Sequence, residues 1–224
     1  MADFLTRSSV PVAGRTTGNR DIVTSSSILR WLMEGKVFHA GLGAEDAEEN
    51  SQGAMDDTKA TYALQSPSGT STIVVPILLK LSMTGDGGAL TNWQVMFTRA
   101  ANDCATALTT SGTSLTFKRN MNPLFTSQPQ SKALYGDPIT VSALTNADYV
   151  SYHYGNAIDA VLTTGLVGLG DGKSNTFTAN FLKEGVPPIL SNGAAMLVYI
   201  YTGSTDSVVR GYMQWAEVTA ADLY

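Results

Sequence analysis

The 224-residue sequence is poor in the side chains that most often do chemistry, with one cysteine, Cys104, and two histidines, His39 and His153. A single cysteine excludes an intrachain disulfide, and with it a disulfide-stapled scaffold. Two histidines far apart and one cysteine cannot build a typical zinc centre unless carboxylates supply the missing ligands, and the double-histidine cupin pattern is absent. Charge is sparse as well. Asp, Glu, Lys and Arg make up 15% of the residues, against about 25% in an average soluble domain. The net charge of −5 and pI of about 4.9 disfavour a protein that grips nucleic acid with its whole surface, which is usually basic. Long apolar runs are missing. The longest, IVVPILL at 73–79, falls far short of the roughly 18 residues a membrane helix needs. The opening MADFLTRSSVPVAGR has no apolar h-region of a signal peptide. The expectation is a soluble protein made in the cytoplasm and not exported by a classical signal.

Thr, Ser, Gly and Ala fill the space that charge leaves. Such a surface is polar but weakly charged, which suits extensive contacts between subunits. Residues 1–20 are polar, with Arg7, Arg15 and Arg20 against Asp3, and read as an extended arm. Three arginines neutralise little phosphate, so the arm is expected against neighbouring subunits. Residues 21–224 read as one domain. In SSSILRWLMEGK, Ser25, Ser26 and Ser27 offer N-caps. Ile28, Trp31 and Leu32 share a helical face, and Gly35 suits the C′ position, giving one short helix. VFHA at 37–40 starts a strand. From residue 59 the chain reads as strands: TYALQS, the apolar run STIVVPILLKLSM, Ile139 and Val141 after Pro138 and the β-favouring aromatic run YVSYHY at 149–154, with period-two alternation at Trp93/Val95/Phe97, Leu115/Phe117 and Phe177/Ala179/Phe181. Pro76 within the second of these predicts a bulge, a strand end or an edge. Two long loops are expected, near 41–58 and near 120–137. Short strands between turns with almost no amphipathic helix predict an antiparallel all-β sandwich or barrel.

The richest aromatic segment is AAMLVYIYTGSTDSVVRGYMQWAEV at 194–218. Met196, Val198 and Ile200 point one way, and Leu197, Tyr199 and Tyr201 the other, so both faces are apolar or amphipathic. The segment reads as a buried central hairpin that closes the sandwich, with Gly211 giving room to aromatics opposite.

Candidate chemistry is thin. His153 in SYHYGNAID and His39 after Phe38 read as strand histidines without the nucleophile and orienting carboxylate that a triad needs. Glu45, Asp46, Glu48, Glu49, Asp56 and Asp57 crowd one stretch. They read as a solvated loop; a divalent cation or a carboxylate-only hydrolase site are the sharper readings. GLGDGKS at 168–174 misplaces the first glycine of a phosphate loop, and SNTFTANFL after it alternates like a strand where that motif demands a helix. Cys104 among small residues reads as a buried inert thiol. Tyr149, Tyr152, Tyr154 and Trp215 are the candidate stacking platform of a carbohydrate-binding module, although alternating aromatics more often form core or cross-strand pairs. No catalytic, cofactor-binding or metal-binding residue is assigned, and the protein is not expected to be an enzyme.

PPILSNGAAMLVYIYTGSTDSVVRGYMQWAEV at 187–218 resembles the closing strands of viral single jelly-roll capsid proteins, particularly those of prokaryotic viruses and uncultured phages. There a Pro-Pro or Pro-Gly turn precedes an apolar strand, and a Ser/Thr/Gly loop leads to a strand ending like Trp215-Ala216-Glu217-Val218. The short helix followed by GKVFHA fits the same pattern. The resemblance implies an eight-stranded jelly roll that self-assembles into an icosahedral virion shell, through pentameric or hexameric capsomers of itself, with other capsid proteins or an internal membrane as further partners it allows. A receptor- or carbohydrate-binding spike or decoration protein is the alternative. The strongly basic arm of RNA plant-virus coats is lacking, which argues against direct packaging of single-stranded RNA.

Overall fold

The computed structural model describes residues 15–16, 22–23, 27–42, 49–50, 56, 58–86, 94–100, 113–114, 118–140, 176–183, 189–201 and 207–223. Among the described residues one helix, α1 (Ser27–Met33), stands with fourteen strands. The first seven strands are β1 (Arg15–Thr16), β2 (Ile22–Val23), β3 (Val37–Leu42), β4 (Glu49–Asn50), β5 (Lys59–Gln65), β6 (Ile73–Asp86) and β7 (Gln94–Ala100). The others are β8 (Thr113–Ser114), β9 (Lys118–Asn120), β10 (Lys132–Thr140), β11 (Thr176–Asn180), β12 (Leu190–Ser191), β13 (Ala195–Tyr201) and β14 (Ser207–Val218). A short 3₁₀ turn, Ala220–Asp222, follows β14.

All pairings are antiparallel, and the two larger sheets form a sandwich. One sheet runs β7-β13-β5-β10-β8; the other runs β11-β6-β14-β3-β9, with β12 beside β6 and β4 beside β14. Period-two alternation gives each sheet an apolar inner face. Tyr62, Leu64, Val95, Met196, Val198 and Ile200 from the first sheet meet Phe38, Leu42, Leu79, Leu81, Met213 and Trp215 from the second in one buried cluster. Each such side chain contributes about 1.5–3 kcal/mol when fully buried. Phe38 and Trp215 stack at 6.2 Å, and the Tyr62 hydroxyl donates across the sandwich to the Val209 carbonyl at 3.4 Å.

The chain repeatedly changes sheets. β5 leads to β6 in the opposite sheet, β6 to β7 back again, and β13 to β14 across once more, while β3 and β14 lie side by side. At one end Ser66 ties the β5–β6 crossing to the crossing from β12 to β13. Its hydroxyl donates to the Ala194 carbonyl at 3.0 Å and accepts from the Gly193 N–H at 3.1 Å. The turn at Asn192 and Gly193 has positive φ at both residues, 50° and 84°, a region Asn and Gly tolerate best.

Helix α1 covers the outer face of the second sheet. Trp31 packs with Val37, Val75, Ile77, Ala216 and Val218 in a separate cluster, joined by Leu32. Pro76 marks a bulge, as its sequence context predicts. The β14 partners step from Gln214–Leu78 to Trp215–Pro76, so Ile77 is the extra residue and both Ile77 and Leu78 face α1. β6 is no edge strand; Pro76 is tolerated because pairing with β11 ends at Leu78 and resumes with β12 at Val74. Gly35 ends α1 at φ 69°. The Lys36 N–H reaches the Trp31 carbonyl at 2.8 Å and the Gly35 N–H the Leu32 carbonyl at 3.1 Å, the paired bonds of a Schellman cap.

Several expectations change. The segment 194–218 is not a hairpin. β13 pairs with β5 and β7, whereas β14 pairs with β3, β4 and β6 in the facing sheet; two apolar strands bury more area stacked face to face than paired edge to edge. β13 is central, as expected, and its second face is buried too, with Leu197 and Tyr199 at 0% exposure within the single chain. Gly211 makes room for backbone, not for aromatics: a Cβ there would strike the Lys80 carbonyl oxygen and approach the Leu81 Cα to 3.0 Å. The loop near 41–58 is interrupted by β4, and the one near 120–137 ends where β10 begins at Lys132. Ile28 does not join Trp31 and Leu32 against the sheet and is 38% exposed. Of the arm, Arg15–Thr16 pairs with Ile22–Val23. Leu115, Phe117, Val141 and the YVSYHY run lie outside the described residues.

Candidate functional site

The richest polar junction among the described residues lies where α1, the segment 120–131, the end of β14 and the 3₁₀ turn converge. Glu217 of β14 anchors it. One carboxylate oxygen accepts the Gln130 N–H at 2.9 Å and the other the Ser131 N–H at 2.8 Å. The Glu217 N–H donates to the Lys36 carbonyl at 2.9 Å. Lys36 sits between Asp222 at 2.6 Å and Glu34 at 2.8 Å. Asp222 turns its second oxygen to the Thr219 N–H at 2.7 Å and hydroxyl at 2.9 Å. The Arg30 guanidinium donates to the Asp222 carbonyl. On the other side, Asn120 donates to the Gly35 carbonyl at 2.6 Å, and Asn122 to the Leu32 carbonyl at 3.1 Å. A groove of about 360 Å³ lies between these elements, lined by Lys36, Thr72, Ser127, Gln130, Glu217 and Asp222 among others.

Electrostatics follow from these partners. Burial alone would raise the Asp222 carboxyl, but the Lys36 ammonium and the Thr219 donors outweigh it and hold the group down at about 2. Desolvation likewise opposes the charge on Lys36, and its bonds to Asp222 and Glu34 win, raising its pKa. These charged groups are thus engaged with one another or with backbone groups. The arrangement is a clamp: it fixes the segment 120–131 and the chain after β14 to the cap of α1.

The residues singled out from sequence do not come together. His39 is half-buried in β3, opposite Gln214 and Arg119. Trp215 is fully buried in the sandwich core, so it is no sugar platform. Asp56 closes a local turn ahead of β5, accepting from the Thr58 N–H at 3.0 Å and hydroxyl at 2.5 Å and facing Lys59 at 3.4 Å. These bonds, the Thr58 hydroxyl first, lower its pKa. Glu49 belongs to β4. Glu45, Asp46, Glu48, Asp57, Cys104, Tyr149, Tyr152, His153, Tyr154 and the 168–174 turn lie outside the described residues. Among the described residues no three His, Cys, Asp or Glu side chains cluster as metal ligands would, and no helix is long and apolar enough to cross a membrane. Within SNTFTANFL, Thr176–Asn180 forms β11, with Phe177 and Ala179 buried, the strand that its alternation predicts.

Sequence reasoning missed Glu217, Asp222, Asn120 and Asn122. Glu217 carried a signal, a lone acid inside an apolar strand end; the asparagines in NMNP carried the turn chemistry of Asx motifs. It also missed an apolar surface. Ile28, Leu29 and Met33 of α1 and Met121, Leu124 and Phe125 of the adjoining turn are all exposed, Met33 by 64% and Leu124 by 87%. Compared with known protein families, curated proteins and solved structures, the chain matches none.

Proposed function

We propose that this chain is a structural subunit of a virion shell, a jelly-roll capsid protein that assembles with copies of itself. The observation that carries the reading is the winding of the strands. β3, β14, β6 and β11 are neighbours in one sheet and β5, β13 and β7 in the other, and the chain crosses between them from β5 to β6, from β6 to β7 and from β13 to β14. Such crossings, with the first and last long strands side by side, are what the double Greek key of a jelly roll requires, and they support that reading. Low charge, a weakly acidic surface and an exposed apolar face suit subunit contact. A net charge of −5 favours a shell that does not neutralise its own genome.

Size-exclusion chromatography with light scattering, and negative-stain images of the large fractions, test the proposal. Closed particles, or rings of five or six subunits, are expected. A protein that stays at 23.7 kDa at every concentration and salt, and binds glycans saturably on an array, would replace the shell with the receptor-binding alternative.

A further inference from the structure

We infer that the exposed apolar face formed by α1 and the 121–125 turn is a twofold contact between two copies of this chain. The face is continuous. Leu29 and Met33 are one turn apart on the helix. The turn is strapped to the helix end by Asn122, which donates to the Leu32 and Met33 carbonyls. The Phe125 ring lies so close over Gly35 that a Cβ there would collide with it. Ile28, Leu29, Met33, Met121, Leu124 and Phe125 together expose roughly 600 Å², the upper end for a single patch on a monomer and most of the ~800 Å² per partner in a stable complex.

Charge and rigidity select the occupant. None of the six exposed side chains of the face carries a charge, and beside it Lys36 is paired with Glu34 and Asp222, so the best complement is another neutral apolar surface. A second copy presents one in register by twofold symmetry. The Schellman cap and the asparagine straps hold the face ready-formed, so little ordering entropy opposes association.

This inference shares with the shell reading only the premise that copies of the chain associate. The test is sedimentation velocity from about 1 to 100 µM, spanning a micromolar Kd, on the wild type and on Met33→Lys with Leu124→Lys. Both side chains are mostly exposed, so circular dichroism and Tm are expected to stay as in the wild type. Should the pair unfold, Leu124→Lys alone carries the test. The wild type is expected to show dimers or larger species joined through them, and the variant to weaken that step at least about 30-fold. A wild type that remains monomeric at the highest concentration, or a variant that associates unchanged, overturns the inference. Wild-type dimers that form no particles would leave this contact standing and remove the shell; particles formed equally well by the variant would do the reverse.

Discussion

Replacing Gly211 by alanine is expected to be among the most damaging single-methyl additions in the protein. Gly211 lies mid-strand in β14, paired with Leu81 of β6 on one side and Leu42 of β3 on the other. The added Cβ would collide with the Lys80 carbonyl oxygen and stand 3.0 Å from the Leu81 Cα. Those are backbone atoms held by the ladder, not the tip of a side chain that could swing away. Relief requires β14 and β6 to separate locally. Overpacking of this kind costs about 1–3 kcal/mol, and each ladder hydrogen bond stretched adds about 1 kcal/mol. Alanine stiffens the unfolded chain and returns about 0.4–1 kcal/mol. The net expectation is a loss of about 2–4 kcal/mol, or a Tm lowered by roughly 4–16 °C for a chain of this size. Gly41 supplies the control. It pairs with Tyr212 one strand away, yet a Cβ there meets nothing within 4 Å, so Gly41→Ala is expected to be neutral or to stabilise by up to about 1 kcal/mol. Urea and thermal unfolding followed by circular dichroism measure both. Equal stabilities for the two variants would refute the argument that close approach of β6 dictates glycine at 211.

Three further outcomes follow from the junction and the core. Glu217→Ala takes the carboxylate acceptor from the Gln130 and Ser131 N–H groups and is expected to cost about 2–4 kcal/mol in urea unfolding, with Glu217→Gln intermediate because it keeps one acceptor oxygen. Because the Asp222 pKa is depressed from 3.8 to about 2, its contribution is complete above pH 4 and is lost as pH falls towards 2. Asp222→Asn should therefore cost on the order of 1–2 kcal/mol at neutral pH, and an acid titration of its stability should be flatter than wild type between about pH 4 and 2. Trp215→Ala should cost about 3–5 kcal/mol by opening a cavity in the core. Trp215→Phe should cost at least about 2 kcal/mol less, since the buried indole N–H has no hydrogen-bond partner among the described residues and its loss forfeits no bond.

The elements were legible where local pattern and burial agree. β11 follows from period-two alternation, β5, β6 and β13 from β-favouring apolar runs, α1 from its spacing and from Gly35, and the bulge is one of the three outcomes expected at Pro76, because each is decided by a few consecutive residues. The hairpin reading of 194–218 failed for a different reason. Whether two adjacent apolar strands pair in one sheet or face each other across two depends on β3, β5, β6 and β7, up to 180 residues away, and the local sequence is the same in both cases. The junction was illegible on the same grounds. Lys36 and Asp222 are 186 positions apart, and Glu217 meets Gln130 across 87; nothing in their neighbourhoods marks them as partners. The acidic stretch, conspicuous as a cluster, contributes a turn through Asp56 and a strand through Glu49, the ordinary work of carboxylates near loops. The exposed face of α1 and the 121–125 turn lies between these cases. Ile28 reads as core because it is apolar at helical spacing, but a seven-residue helix laid on a flat sheet buries only the stripe through Trp31 and Leu32. The apolar residues beyond that stripe are surplus to folding and stay on the surface, where the proposed twofold contact would use them.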